Sequence, residues 1–266
     1  MKPRPFDMKR PTSLAEATGL LAEHGAGARL LAGGQSLVPL MNLRTLSPAV
    51  LIDLNGLAEL SGISEKSGTL TIGAMTRQAT LLADPLVGRH LPLLVQAARH
   101  VGHVQTRSRG TIGGSIAFGD PAAELPVALS TLGARLRIVS DGGERDVALS
   151  EFHGEGCRLS PDEMIASVDV PVQEGGGWAF RELARNRRCL LNIAAVRTGH
   201  AVTVTLGGYA DRPMHLRLDP DADRLHQTGR LLDGVTARHD LHGSAEYRRQ
   251  VAEVLLAEVL KELDEK

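Results

Sequence analysis

In LAEATGLLAEHG the apolar residues recur at helical spacing, behind a Ser13/Glu16 capping pair and ahead of Gly25, so a helix is predicted over 14–24. The next apolar run, ARLLAGG, is short and β-branch-poor but ends in two glycines, as a buried strand does. SLVPLMNLR then returns to helical spacing, with Pro39 in the first turn, and AVLIDL reads as a second strand. This β-α-β order predicts a small parallel-stranded unit near the N-terminus.

Farther along, GTLTIGAMT alternates as a strand and LPLLVQAARHVG reads as a helix. ELPVALSTLGARLRIVS reads as a helix and then a strand, with Gly133 at the break. DVALSEF and MIASVDVPV are expected to be further strands, separated by a loop that holds GEGC. Three consecutive glycines in VQEGGGW mark a domain boundary. Beyond it, HAVTVTLGG reads as a strand, and SAEYRRQVAEVLLAEVLKELDEK as a long amphipathic helix capped by Ser244.

Two glycine loops stand out from this pattern. At LLAGGQSL a strand stops at Gly33-Gly34 and a helix begins near Ser36, which directs bare backbone N–H groups at one spot and favours an anion. RSRGTIGGSIAFGDPAAELP repeats the logic, with the hydroxyls of Thr111 and Ser115 flanking Gly113-Gly114. Two such loops suit a diphosphate. Neither is a P-loop or a G-x-G-x-x-G fingerprint.

Composition narrows the class. With 30 basic and 31 acidic residues the formal charge is -1, which gives no reason to expect nucleic acid or a membrane surface as partner. No stretch of about 18 apolar residues could span a bilayer and the N-terminus has no apolar signal core, so the cytoplasm is the expected compartment. Cys157 and Cys189 are too few for an iron–sulfur cluster or a four-cysteine zinc site. No metal site is expected: His100 and His103 lack a completing carboxylate or cysteine nearby in the sequence.

The stretches LLAGGQSLVPLMNLR and TRSRGTIGGSIAFGDPAAELP, with the terminal HGSAEYRRQVAEVLL, resemble the FAD-binding medium subunit of molybdenum hydroxylases. That group includes bacterial carbon monoxide dehydrogenase and the flavin domain of xanthine dehydrogenase. The resemblance implies an α+β chain with the PCMH/VAO-type FAD-binding fold: two α/β subdomains, at 1–56 and 57–174, and a C-terminal α/β domain at 175–266 built on a three-stranded antiparallel sheet with helices. FAD would lie extended between the first two. Leu30, Leu31, Ala32, Gly33, Gly34, Gln35, Ser36 and Leu37 would form the first diphosphate loop, and Thr111, Ile112, Gly113, Gly114 and Ser115 the second. Asp120 or Glu124 would accept from an FAD hydroxyl or from amides holding the loop, Ile165 would line the flavin, and Arg181 falls where the xanthine dehydrogenase domain has a lysine.

By the same resemblance a large subunit with molybdenum cofactor oxidises the substrate, and a small subunit with two [2Fe–2S] clusters relays electrons to this chain, which passes them to NAD, a quinone or oxygen. No catalytic side chain is implied, since the cofactor carries the chemistry. One stretch departs from the family: Arg188, Cys189, Leu190 and Leu191 stand where close relatives have Gly-Asp-aromatic-Ala. That departure, with a stretch over 210–240 shorter than is usual in the family, motivates the alternatives of a stand-alone FAD-dependent oxidoreductase or tailoring enzyme, and of a degenerate scaffold. Arg107 and Arg109 read as anchors of the second loop, Arg185-Asn186-Arg187-Arg188 as a solvated face, Cys189 as a small buried hydrophobe and Trp178 as a core anchor of the last domain.

Overall fold

A computed structural model describes residues 2–152, 158–173, 175–186, 188–219 and 222–265. GEGC, including Cys157, lies outside the described residues. The chain builds three sheets in succession. The first joins β1 (Asp7–Lys9), β2 (Ala28–Leu31) and β3 (Val50–Asp53) in the order β1-β3-β2, all parallel. Helices α1 (Leu14–His24) and α2 (Leu37–Asn42) connect them, so the predicted β-α-β unit is present. Ser13 caps α1 through the Glu16 N–H, while the Glu16 carboxylate reaches back to Thr12 N at 2.7 Å. The three exposed residues of β1 gave no sequence pattern.

The second sheet orders β4 (Ile63–Lys66), β5 (Thr69–Gly73), β6 (Arg135–Ser140), β7 (Gly143–Ala148) and β8 (Met164–Pro171) as β4-β5-β8-β6-β7, antiparallel throughout. Between β5 and β6 run α3 (Gln78–Ala83), α4 (Pro85–His90), α5 (Pro92–His100), α6 (Val104–Arg109), α7 (Ile112–Phe118) and α8 (Glu124–Thr131). DVALSEF is not one strand: β7 ends at Ala148, and α9 (Leu149–Phe152) follows. Pairing with β6 runs out at Arg135, and Leu149 and Phe152, at helical spacing, both bury.

The third sheet has four strands rather than three. β9 (Trp178–Arg185), β10 (Arg188–Thr198), β11 (Ala201–Gly207) and β12 (Met214–Leu218) lie antiparallel in the order β12-β11-β10-β9. The fourth strand, MHLRL, hides its signal in only five residues beside a turn. Helix α10 (Arg224–Asp233) and the terminal α11 (Ala245–Asp264) complete the unit, with Ser244 capping α11 as predicted.

The sheets are knitted together by their cores. Alternate residues of β9 and β10 face opposite ways: Ala179, Leu191 and Ile193 pack with α11 residues such as Leu256 and Val259, while Phe180 and Ala194 enter the core formed by α5, α8 and the second sheet. Trp178 packs on that second-sheet core, not on the core of the last domain. On the other side, Met75, Val139 and Met164 join Ile52 of the first sheet and Leu54 just past β3.

Candidate functional site

The two glycine loops meet. A Cβ on Gly33 would fall 2.3 Å from the Arg109 carbonyl oxygen and 2.8 Å from the Gly110 Cα, so only a glycine allows the first loop to lie against the chain entering the second. Gly34 takes φ +72, which lets the chain turn from β2 into α2. A network holds the approach: the Asp53 carboxylate accepts from Asn55 Nδ2 at 2.6 Å, Asn55 Oδ1 accepts from Arg77 Nη2 at 2.6 Å, and Arg77 Nη1 donates to the Arg109 carbonyl. Asn55 Nδ2 also donates to Ala32 O at 3.1 Å. Asn55 and Arg77 carried no sequence signal, because each acts through contacts distant in the chain.

The first loop leaves its backbone donors open. Among the described residues, the backbone N–H groups of Gly33, Gly34, Gln35, Ser36 and Leu37 have no acceptor in the chain; the next amide, Val38 N, donates to Gly34 O. They edge a cavity of about 370 Å³, lined by Leu31, Ala32, Gly33, Gly34, Gln35, Val38, Pro39, Asn55 and Arg109. Arg109 is the basic residue of that lining, while Arg107 is spent on the carbonyls of Val101 and Gly102.

The second loop differs from the reading above. It is helical: Thr111 caps α7 by accepting from Gly114 N at 3.1 Å. Ile112 N and Gly113 N donate to the carbonyls of Thr76 and Ala74, and Ser115 N donates to Thr111 O. These amides are therefore engaged within the fold, and what this loop can offer a ligand is hydroxyl groups. Gly113 is required by packing, since a Cβ there would meet Ala74 Cβ at 2.6 Å.

Asp120 closes the turn into α8, its carboxylate accepting from Ala122 N at 3.0 Å. Glu124, first residue of α8, is buried, and burial pushes its carboxyl up to about 7, with the charges of Glu182 and Asp120 acting in the same direction. Glu182 of β9 has a side chain 4% exposed and pairs with His100 Nδ1 of α5 at 2.9 Å. Cys189 Sγ accepts from Asn192 Nδ2 at 3.1 Å and lies with the Glu124 and Glu182 carboxylates inside one group spanning 4.8 Å. Cys189 is thus in polar surroundings, not among leucines; burial, first, and the neighbouring carboxylates hold its thiol proton on.

Two expected site residues stand apart from the loops. Arg181 lies on the opposite face of β9 from Glu182 and pairs with Glu262 at 2.5 Å and Glu258 at 3.8 Å on α11. Strand alternation decides this, and it points the guanidinium at α11. Ile165 is buried in the core that also holds Ile112 and Ile116. The altered stretch at 188–191 carries a β-bulge between Cys189 and Leu191. At the bulge the Leu190 carbonyl turns to Arg248 of α11, whose Nη1 donates to it at 2.6 Å and to Gly208 O at 2.8 Å.

A family model described as the FAD binding domain in molybdopterin dehydrogenase matches residues 4–173. The chain belongs to this family. Its cofactor is FAD, and it is an FAD-containing component of an oxidoreductase. The carbon monoxide dehydrogenase medium chain of Afipia carboxidovorans is 34% identical over 96% of each chain. The alpha subunit of the 6-hydroxypseudooxynicotine dehydrogenase complex of Paenarthrobacter nicotinovorans is 36% identical over 98% of this chain and 95% of its own. Among solved structures, a chain of the Cu,Mo-CO dehydrogenase in its cyanide-inactivated form superimposes with a TM-score of 0.92 at 31% identity, covering 100% of this chain and 99% of that one. Quinoline 2-oxidoreductase from Pseudomonas putida 86 gives 0.88 at 32%, over the same shares. The chain is of the medium-subunit type in the molybdenum hydroxylase family, and among the described residues no helix is long and apolar enough to cross a membrane.

The residues fit the cofactor. Unpaired amides at 33–37 suit a diphosphate, Arg109 supplies countercharge, and Leu31, Val38 and Pro39 offer apolar wall.

Proposed function

We propose that this chain is the FAD-carrying medium subunit of a cytoplasmic three-subunit molybdenum hydroxylase, organised as subdomains at 1–56 and 57–174 and a C-terminal domain at 175–266. Its partners are a large subunit with molybdenum cofactor, where substrate is oxidised, and a small subunit with [2Fe–2S] clusters. FAD supplies the exchange between single electrons arriving from clusters and electron pairs leaving to an acceptor. The observation that carries the reading is the row of five unpaired amides at 33–37, in a chain that aligns end to end with medium chains of such dehydrogenases.

The chain's own part is to bind and to screen. The N–H groups of Gly33 to Leu37 bind diphosphate oxygens, the hydroxyls of Thr111 and Ser115 add donors from the second subdomain, and Arg109 offsets the negative charge. Leu30 and Leu31 back the loop, and Asp53, Asn55 and Arg77 keep the two loops in register. Asp120 holds the turn that presents Glu124.

The decisive experiment is the absorption spectrum, metal content and subunit composition of the protein purified from its native host. Flavin bands with iron–sulfur absorption, molybdenum and two further chains are expected. Flavin on a lone chain would replace this reading by a stand-alone flavoprotein, and protein without flavin would remove the loop assignment.

Ser36→Asp tests the loop locally. Ser36 is half-buried and its side chain makes no cap, so the fold should tolerate aspartate, whereas a side chain on Gly114 would strike Thr111 Oγ1 at 2.7 Å. A carboxylate among the free amides is expected to weaken FAD binding at least about tenfold, or 1.4 kcal/mol. Unchanged affinity by fluorescence titration would refute the diphosphate position.

A further inference from the structure

The seam between the second sheet's helices and the C-terminal sheet carries more acid than its cation can neutralise. From α5 comes His100, from the turn before α8 comes Asp120, from α8 itself Glu124, from β9 Glu182 and from β10 the thiol of Cys189. These are the titratable groups whose charges bear on Glu124 and its neighbours, and His100 is the cation among them. Apolar side chains close around them: the Phe180 ring meets that of His100 at 5.2 Å between centres, tilted by 50°, and enters the core with Ala194, Leu125 and Ala128.

Two carboxylates and a thiol gathered within 4.8 Å, with one imidazole on a single side, cannot all be ionised in such surroundings. His100 Nδ1 stands as a counter-ion to one of the two carboxylates, 2.9 Å from Glu182 Oε2. Glu124 has no cationic partner of its own in the group, and Asn192, the amide nearest the thiol, spends its Nδ2 on Cys189 Sγ and the Ala122 carbonyl.

We propose that one proton held on Glu124, beside the His100–Glu182 pair, closes the seam between the second subdomain and the C-terminal sheet, and that the seam loosens when this proton leaves. Deprotonation would set Glu124 against Glu182, pushing α8 from β9 and β10 at the point where their core is shared. The direction follows from linkage. The folded-state values of Glu124 (raised by burial to about 7) and of His100 (raised by its hydrogen bond to Glu182) both exceed their ordinary ones, so each group stabilises the closed form at low pH. That stability fades as pH rises through the ordinary value towards the raised one. Cys189 keeps its proton across this window and adds no opposing slope.

Hydrogen exchange of β9 and β10 amides in the full chain, corrected for intrinsic rates, reads the opening. From about pH 6 to about pH 8.5 the opening constant is expected to rise about tenfold or more, by at most about tenfold per pH unit for one proton. Glu124→Gln, which mimics the protonated acid, is expected to stay closed and to keep only the shallower slope that His100 contributes over the same range. A wild-type profile without slope, or a Glu124→Gln profile with the wild-type slope, overturns the proposal. Should the variant fail to fold, the infrared carbonyl band of a protonated carboxylic acid decides in the wild type. It is expected to disappear between the same two pH values, and its absence at the lower one defeats the proposal.

Discussion

Arg248→Met is expected to destabilise the protein by about 3 kcal/mol, because it strips a buried cation from four acceptors at once. The Arg248 guanidinium is buried: Nη2 faces both Asp240 oxygens at 2.9 and 2.8 Å, and Nη1 holds the carbonyls of Leu190 and Gly208. Those carbonyls cannot find other partners, since Gly208, at φ +80, packs so tightly that a Cβ there would strike the Leu190 oxygen. Arg248→Lys keeps the charge but not the fork, and should recover only part of the loss. The acid limb of stability provides a second reading. Burial works against the charge of Asp240, yet the amides of His242 and Gly243 and the Arg248 guanidinium overcome it and hold its carboxyl down to about 2. A depressed carboxyl stabilises above its ordinary value near 3.8 and loses that contribution as pH falls through about 2. In Arg248→Met this limb should flatten. Denaturation midpoints within about 0.5 kcal/mol of wild type would contradict the assignment of Arg248 as the pin of the bulge.

Gly33→Ala is expected to cost about 2–3 kcal/mol and most of the FAD affinity, although it adds one methyl group. The methyl carbon has nowhere to go: its neighbours are the Arg109 carbonyl and the Gly110 Cα, which are backbone, and the carbonyl is itself held by Arg77. Relief requires the two glycine loops to part, which separates the amides at 33–37 from the hydroxyls of Thr111 and Ser115. Gly27→Ala, where a Cβ meets nothing within 4 Å, serves as the control. Thermal melts and flavin fluorescence on both variants distinguish the outcomes: a Gly33→Ala protein that melts and binds as the control does would show that the loops are not in functional contact.

Much of the frame was legible in the sequence. The helix over 14–24, the parallel unit built from ARLL and AVLIDL, the break at Gly133 and the Ser244-capped terminal helix follow from local periodicity and capping, which need no knowledge of distant contacts. The family also followed from contiguous motifs. What failed was local reading of segments governed by pairing or by close packing. DVALSEF alternates like a strand over its first residues, yet β7 stops where β6 has no more partner to offer. RSRGTIGGSIAFGD looks like an open glycine loop, yet Thr111 nucleates a helix and its glycines serve contact with Ala74 and with the Gln78 side chain.

The sequence by itself determined the elements, the glycines at 33–34 and 113–114, and membership in a flavin-binding family, because each is encoded in neighbours along the chain. Only the tertiary structure decided how those features act. It joined residues 33 and 109 through a missing side chain, spent the second loop's amides on Ala74 and Thr76, turned Arg181 towards α11, and gathered His100, Glu124, Glu182 and Cys189 at one seam. The reason is physical: a hydrogen-bond donor's availability, a strand residue's face and a carboxyl's proton depend on what packs against them, and here those partners lie tens of residues away.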